Sequence, residues 1–164
     1  MYAVFKVAGI YDKMLRRLYQ KSPLCTPTFE EISAIHDYMI DQYGGKSGFR
    51  DQSILHSIID KVENLEEEYN EGFLNIYDLA VTYLWYISHE HPFSDANKRT
   101  SVAVALSFLH DNGVDTVFDP AALEQLTKVC ATSEWTDDIF HGESRYSFSI
   151  GDAREFFSRT RMSV

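Results

Sequence analysis

Residues 73–110 read FLNIYDLAVTYLWYISHEHPFSDANKRTSVAVALSFLH. Two apolar runs, 73–90 and 101–110, flank a polar segment that begins at His91 and ends at Thr100. Both runs are apolar on nearly every side, which places a helix inside a core rather than on a surface. Ala and Ser in the second run allow close helix approach. A short loop between two such helices makes them antiparallel neighbours. The fold class that follows is all-α, a bundle of about six helices built around this central pair.

The remaining helices follow from spacing and end signals. Thr28 with Glu31 three residues on forms a capping box ahead of Ile32, Ile35 and Met39, and Gly44-Gly45 ends that helix near Tyr43. Asp51 can cap a helix carrying Ile54, Leu55, Ile58 and Ile59. Asn112-Gly113 closes the second apolar helix, and Asp119 before Pro120 opens another that runs to about Thr132. Ile10, Tyr11, Met14, Leu15 and Leu18 have helical spacing, with a short strand expected at 2–8 and a connector at 21–27. Residues 133–149 read as an irregular connector, and Ser149 with Asp152 can cap a last helix. There is no repeat, low-complexity tract or Gly/Ser linker, so the 164 residues are expected to form one domain.

Composition narrows the function. Hydrophobic residues at 45% and aromatics at 14% specify a folded core. A net charge of −10 argues against binding nucleic acid directly, because a phosphate backbone needs a basic face. The acid concentrates in KVENLEEEYNE, residues 61–71, which reads as a solvated helix face. Cys25 and Cys130 form no CxxC motif and read as reduced thiols. The N-terminus is a poor secretory signal, and no run has the length of a membrane span, so a cytoplasmic location is expected. Walker, GxGxxG and GxSxG motifs are absent. His89-Glu90-His91 is a poor zinc site, since neighbours two apart do not share a helix face and no second ligand cluster follows. His36-Asp37 reads as a helix-surface or helix-packing pair.

The chemistry concentrates in the loop. Pro92 disfavours helical backbone at His91, Phe93 is the loop's apolar anchor, and Asp95 stands where an N-cap is expected. Ala96, Asn97, Lys98 and Arg99 then open the helix. Cations oppose the positive end of a helix dipole, so Lys98 and Arg99 in a first turn conflict with local rules. An anion bound at the free amides removes the conflict and makes the turn a phosphate site. The other reading has both side chains splayed outward and paired with acids such as those of 61–71. A histidine beside an anion hole and a carboxylate suggests phosphoryl or nucleotidyl transfer to a hydroxyl. His91 would be the base, and Asp95 would orient the acceptor or hold magnesium.

HPFSDANKRT resembles the signature of the Fic/Doc superfamily, and its ANKR ending resembles the Doc branch rather than the HPFxDGNGRxxR of the Fic branch. FEEISAIHDYMIDQYGGKSGFRDQSILHSII, residues 29–59, is similar to the family's first helix, Gly-rich flap and second helix. The resemblance covers residues 28–132 and leaves 1–27 and 133–164 unexplained. It implies an all-α fold and an ATP-using transferase. AMP transfer belongs to the Fic branch, and γ-phosphoryl transfer to a protein hydroxyl, with elongation factor Tu as target, to the Doc branch. It implies His91 as base, Asp95 at the metal or acceptor, and Asn97, Lys98 and Arg99 on phosphates. Gly45, Lys46, Ser47, Gly48, Phe49 and Arg50 would form a flap that docks the target by backbone pairing. A lysine at 98 fills the space that glycine leaves in the Fic branch, which disfavours the AMP-transfer pose. The family's self-inhibiting motif [S/T]xxxE[G/N] fails at its last position, where Thr26 to Glu30 is followed by Glu31. An antitoxin acting in trans is the control this implies, and the extra ends could serve a further partner or a dimer. A binding module without activity is the remaining alternative, against which the intact motif speaks.

Overall fold

The computed structural model describes residues 23–114, 117–132, 134–136, 145–147 and 150–159. The expected helix at 10–18 and strand at 2–8 lie outside these residues, as does the proposed Ser149 cap. The helices are α1 (Phe29–Tyr43), α2 (Gln52–Asn64), α3 (Glu66–Asn70), α4 (Ile76–Glu90), α5 (Asn97–Asp111), α6 (Pro120–Thr132) and α7 (Ile150–Arg159). Between α6 and α7 lie strands β1 (Glu134–Thr136) and β2 (Arg145–Ser147), paired antiparallel with Trp135 opposite Tyr146. The connector expected to be irregular therefore contains a short hairpin, and the architecture is otherwise helical as predicted.

Local signals set the helix ends. The Thr28 hydroxyl accepts from the Glu31 N–H at 3.2 Å, and the Glu31 carboxylate accepts from the Thr28 N–H at 2.7 Å. Gly44, at φ 73°, ends α1 and donates its N–H to the Ile40 carbonyl. The Asp51 carboxylate caps α2 through the Ser53 N–H at 2.9 Å. The Asp119 carboxylate accepts from the Ala121 N–H at 3.0 Å and starts α6. One boundary differs from expectation. The apolar run was read as helical from 73, but Asn75 and Asp78 form a second capping box, so α4 begins at Ile76. Phe73 stays outside it, 76% exposed.

The central pair is as the apolar runs imply. Every residue of α4 from Leu79 to Trp85 is buried, and α5 contributes Val104, Ala105, Phe108 and Leu109. Tyr83 and Phe108 meet across the pair with ring centroids 5.5 Å apart. The remaining helices wrap this pair. Leu55, Ile58 and Val62 of α2, Leu123, Leu126 and Val129 of α6, and Ala153 and Phe157 of α7 join the same core. Full burial of each large apolar side chain stabilises by roughly 1.5–3 kcal/mol. Burying α4 and α5 this deeply fixes both ends of the loop between them.

Among the described residues, no helix is long and apolar enough to cross a membrane. Glu67 and Glu68 of the acidic stretch are exposed, as a solvated face requires.

Candidate active site at the junction of the central helices

His91 ends α4 in the left-handed region, φ 52° and ψ 65°. That conformation costs a residue with a Cβ roughly 1–2 kcal/mol and turns the chain sharply out of the helix. The His91 Nδ1 lies 3.0 Å from the His89 carbonyl. A carbonyl only accepts, so Nδ1 carries a proton, and in the neutral ring Nε2 holds the lone pair. The ring is thereby set up to take a proton through Nε2.

The rest of the loop is tied down from three directions. Phe93 is buried and stacks on His36 of α1, with centroids 4.0 Å apart and planes 4° from parallel. The His36 Nε2 donates to the Asp95 carbonyl at 3.2 Å. His36 is thus a packing residue, as the sequence suggested, and it also holds the backbone of Asp95, which the sequence did not indicate. Phe49 of the flap bridges Phe93 antiparallel, flanked by bonds from the Ser94 N–H to the Gly48 carbonyl and from the Arg50 N–H to the Pro92 carbonyl. In such a pair the two bridged residues turn their own N–H and C=O groups away from each other. Those of Phe93 are taken by Asn97, whose amide oxygen accepts from the Phe93 N–H and whose amide nitrogen donates to the Phe93 carbonyl, both at 3.0 Å.

That pairing gives Asn97 a structural task the sequence did not indicate. Its buried side chain holds Phe93 through Oδ1 and one Nδ2 hydrogen, which leaves its second Nδ2 hydrogen and its backbone N–H as donors. Asp95 also differs from expectation, since the N-cap of α5 is Ala96, in the left-handed region at φ 59°, and no side chain caps this helix. Asp95 lies one residue too early. Its Oδ1 accepts from the Ala96 N–H at 2.6 Å, and its Oδ2 accepts from the Lys46 N–H at 3.2 Å. These two backbone bonds, then the charges of Arg99 and His36, hold the carboxyl below its ordinary value of 3.8. The first-turn amides of α5 are left uncapped beside an ionised Asp95.

Lys98 is exposed in that first turn and makes no ion pair among the described residues. Arg99 donates from Nη2 to the Gly44 carbonyl at 2.9 Å and from Nη1 to the Met39 carbonyl at 3.4 Å, with Tyr43 alongside. Neither cation pairs with the acids of 61–71 among the described residues, so the reading in which both are neutralised there fails. Arg99 ties the end of α1 to the motif, and Lys98 is the cation left facing solvent.

A cleft of about 1160 Å³ opens over this turn, lined in part by His91, Asp95, Asn97, Lys98 and Arg99. The rest of its lining is mostly apolar, with Val102, Leu106, Phe118 and Leu123, joined by Thr127 and Glu124. The sequence reading missed this second wall, because α5 and α6 are juxtaposed only by folding. Gly45 stands where the flap meets the motif. A Cβ there would come 2.6 Å from Asp95 Oδ2, and its φ of 129° belongs to glycine. No group of three or more His, Cys, Asp or Glu side chains that could hold a metal occurs among the described residues.

The motif thus comprises a loop clamped between two buried helices, a histidine engaged through Nδ1 and an uncapped cationic helix start. Residues 26–109 match the Fic/DOC family, and the chain belongs to that family. It is 41% identical over 105 residues to Protein kinase doc of Escherichia phage P1, covering 64% of this chain and 81% of that protein. It is 30% identical over 103 residues to Toxin Doc of Mycolicibacterium smegmatis (strain ATCC 700084 / mc(2)155), covering 62% and 78%.

Proposed function

We propose that this chain is a Doc-type protein kinase toxin that transfers the γ-phosphoryl group of ATP to a Ser or Thr hydroxyl of a target protein. The observation that carries the reading is the uncapped start of α5, with Lys98 beside it and His91 lining the same cleft. The 41% identity to a protein named as a kinase supports phosphoryl rather than AMP transfer. The cleft's cationic and apolar lining suits a nucleotide, phosphates on the first and base on the second.

His91 takes the acceptor's proton at Nε2 as the hydroxyl oxygen bonds to the γ-phosphorus. The bond from that phosphorus to the β–γ bridging oxygen breaks, and ADP leaves. Lys98 and the first-turn amides neutralise the phosphate charge. Asp95 fits a magnesium site of the usual nucleotide kind, where one or two carboxylates and the phosphates share the ion. It is exposed and ionised, and each of its oxygens has capacity beyond one backbone N–H. Magnesium would supply charge neutralisation at the phosphates.

The target would dock along the flap. The N–H and C=O of Phe49 turn to the open side and have no partner among the described residues, an edge to which an extended segment can add. Elongation factor Tu is the target we propose, with an antitoxin acting in trans and a cytoplasmic location. The chain would work as one domain whose ends, 1–27 and 133–164, serve a partner or a second copy.

Labelling a cell lysate in parallel with γ-labelled and α-labelled ATP tests the reading, with His91→Ala as control. His91-dependent label from the γ position alone, on a band of the elongation factor, is the expected result. Label from the α position would replace the kinase with an AMP transferase. Absence of His91-dependent label from both would favour the binding module.

A further inference from the structure

Arg50 belongs to the flap that is expected to dock a target by backbone pairing. Its side chain goes elsewhere. The guanidinium donates to the carbonyl of Glu90, the last residue of α4, and it lines no part of the cleft. Its own backbone N–H donates to the Pro92 carbonyl at 2.8 Å, as does the N–H of Asp51 at 3.1 Å. Arg50 therefore holds the carbonyl of Glu90 with its side chain and the carbonyl of Pro92 with its main chain. Between the two sits the left-handed histidine.

A second contact steadies the same point. The Lys61 ammonium of α2 lies 2.8 Å from the Glu90 carboxylate and 4.1 Å from the Tyr86 ring centroid. Glu90 is thus gripped at its carbonyl by Arg50 and at its carboxylate by Lys61. Both cations stand at the C-terminal end of α4, where the helix dipole and the unpaired carbonyls favour positive charge. A free chain would not hold a non-glycine residue at φ 52° at this point, and the surroundings must over-determine it.

We infer that Arg50 is a positioning residue for His91: it clamps the carbonyls of Glu90 and Pro92, the residues that flank the histidine, so that Nδ1 stays on the His89 carbonyl and Nε2 faces the cleft. Because the same residue belongs to the flap, a target segment docking there presses on the frame that aims the base. The inference rests on the proposed role of His91 as proton acceptor, but its geometric part can be read without any reaction.

The test is the pair of imidazole ¹⁵N resonances of His91 in the full chain without nucleotide, assigned with His91→Ala. The native protein should have the tautomer with the proton on Nδ1. Arg50→Ala should move the ring toward the mixed tautomers of a free imidazole while the thermal midpoint stays close to native. Arg50→Lys, which keeps a charge and a donor but not the planar fork, should recover part of the native pattern. In transfer kinetics Arg50→Ala should lower kcat about tenfold to hundredfold with the KM for ATP unchanged, the size expected of a displaced reacting group. Native His91 resonances in Arg50→Ala overturn the inference, whatever the reaction proves to be. A rise confined to the KM for the target, with the tautomer native, also overturns it and returns Arg50 to docking. If Arg50→Ala fails to fold, Arg50→Met keeps the aliphatic stem and removes the donors, and native resonances with full kcat in a folded Arg50→Met overturn it equally. An Arg50-dependent tautomer in a protein without transferase activity would support the clamp and sink the kinase.

Discussion

The start of α4 and the start of α5 lie on the two helices of one core and are built by opposite rules. At the first, Asn75 and Asp78 satisfy the orphan amides reciprocally and bring an acid to the positive end of the dipole. At the second, Ala96 has no capping side chain and a strained backbone, and the first turn carries Lys98 and Arg99 with no acid. α1 and α2 follow the first pattern through Thr28, Glu31 and Asp51. A helix start that satisfies itself is scaffold. The α3 start also lacks a side-chain cap but carries three acids, whereas a start that is uncapped and cationic beside the capped α1, α2, α4 and α6 is shaped for something that arrives from outside. The comparison also assigns different costs to mutation, with chemistry lost at α5 and stability lost at the capped ends.

The largest effect should come from His91→Ala. General bases contribute about 10²–10⁴-fold, and transfer should fall by that order while the thermal midpoint barely moves, since the ring is partly exposed and makes one local bond. Single-turnover transfer with calorimetry in parallel checks both halves. A variant that transfers normally would remove His91 from the chemistry. Lys98→Gly should come next. It takes away the free cation of the bare turn and opens space against the backbone, so nucleotide binding should weaken about tenfold, and AMP transfer should appear among the products. Product analysis with both labels checks it, and ATP binding without any AMP product would refute the steric argument.

The anion end also has a pH signature. Asp95 has a folded value below 3.8, so its ionised contacts are present above the unfolded value and are lost only as pH falls through the lower folded one. The amide resonances of Ala96 and Lys46 should therefore hold steady from neutral pH down to about 4 and move below it. Movement between pH 6 and 5 would mean that the two backbone bonds do not hold the carboxylate as described.

Much of this arrangement could be read from the chain before folding was considered. The helices at 29–43, 52–64 and 120–132 were legible because capping and periodicity act over three or four residues, and the motif was legible because its oddity is local. What escaped depends on partners far apart. His36 reaches Asp95 across 59 positions, Arg50 reaches Glu90 across 40, and Arg99 reaches Gly44 across 55. The hold of Asn97 on Phe93 escaped for a different reason. An amide in an anion-binding turn and an amide that holds a loop have the same letter, and only burial separates them. Phe73 was read as core because hydrophobicity was counted without the capping box two residues later.

Asn97→Ala tests that last distinction directly. It would leave the Phe93 N–H and carbonyl without partners in a buried setting, where an unsatisfied group costs about 1–3 kcal/mol. Stability should fall by that amount in urea titration, and transfer should fall with it as the loop loosens. If Asn97 instead served chiefly as a phosphate ligand, stability would stay native and nucleotide affinity alone would drop.

The smallest effect belongs to the ordinary helix starts, and it separates scaffold from site most cleanly. Thr28→Ala removes one half of the α1 capping box, at a point that is exposed and lines no part of the cleft. A lost cap of this kind costs about 1 kcal/mol, equivalent to roughly 2–4 °C in the midpoint for a chain of this size. Transfer at a temperature well below the midpoint should be native in both kcat and KM. A Thr28→Ala variant that transferred poorly at native stability would mean that the α1 start communicates with the α5 start, and the division between capped scaffold and uncapped site would not hold. The route would have to run along α1 through His36, the one α1 side chain that touches both Phe93 and the Asp95 backbone. Native activity with the expected loss of stability would instead confine the site to the bare turn, the histidine that shares its cleft and the flap that frames them.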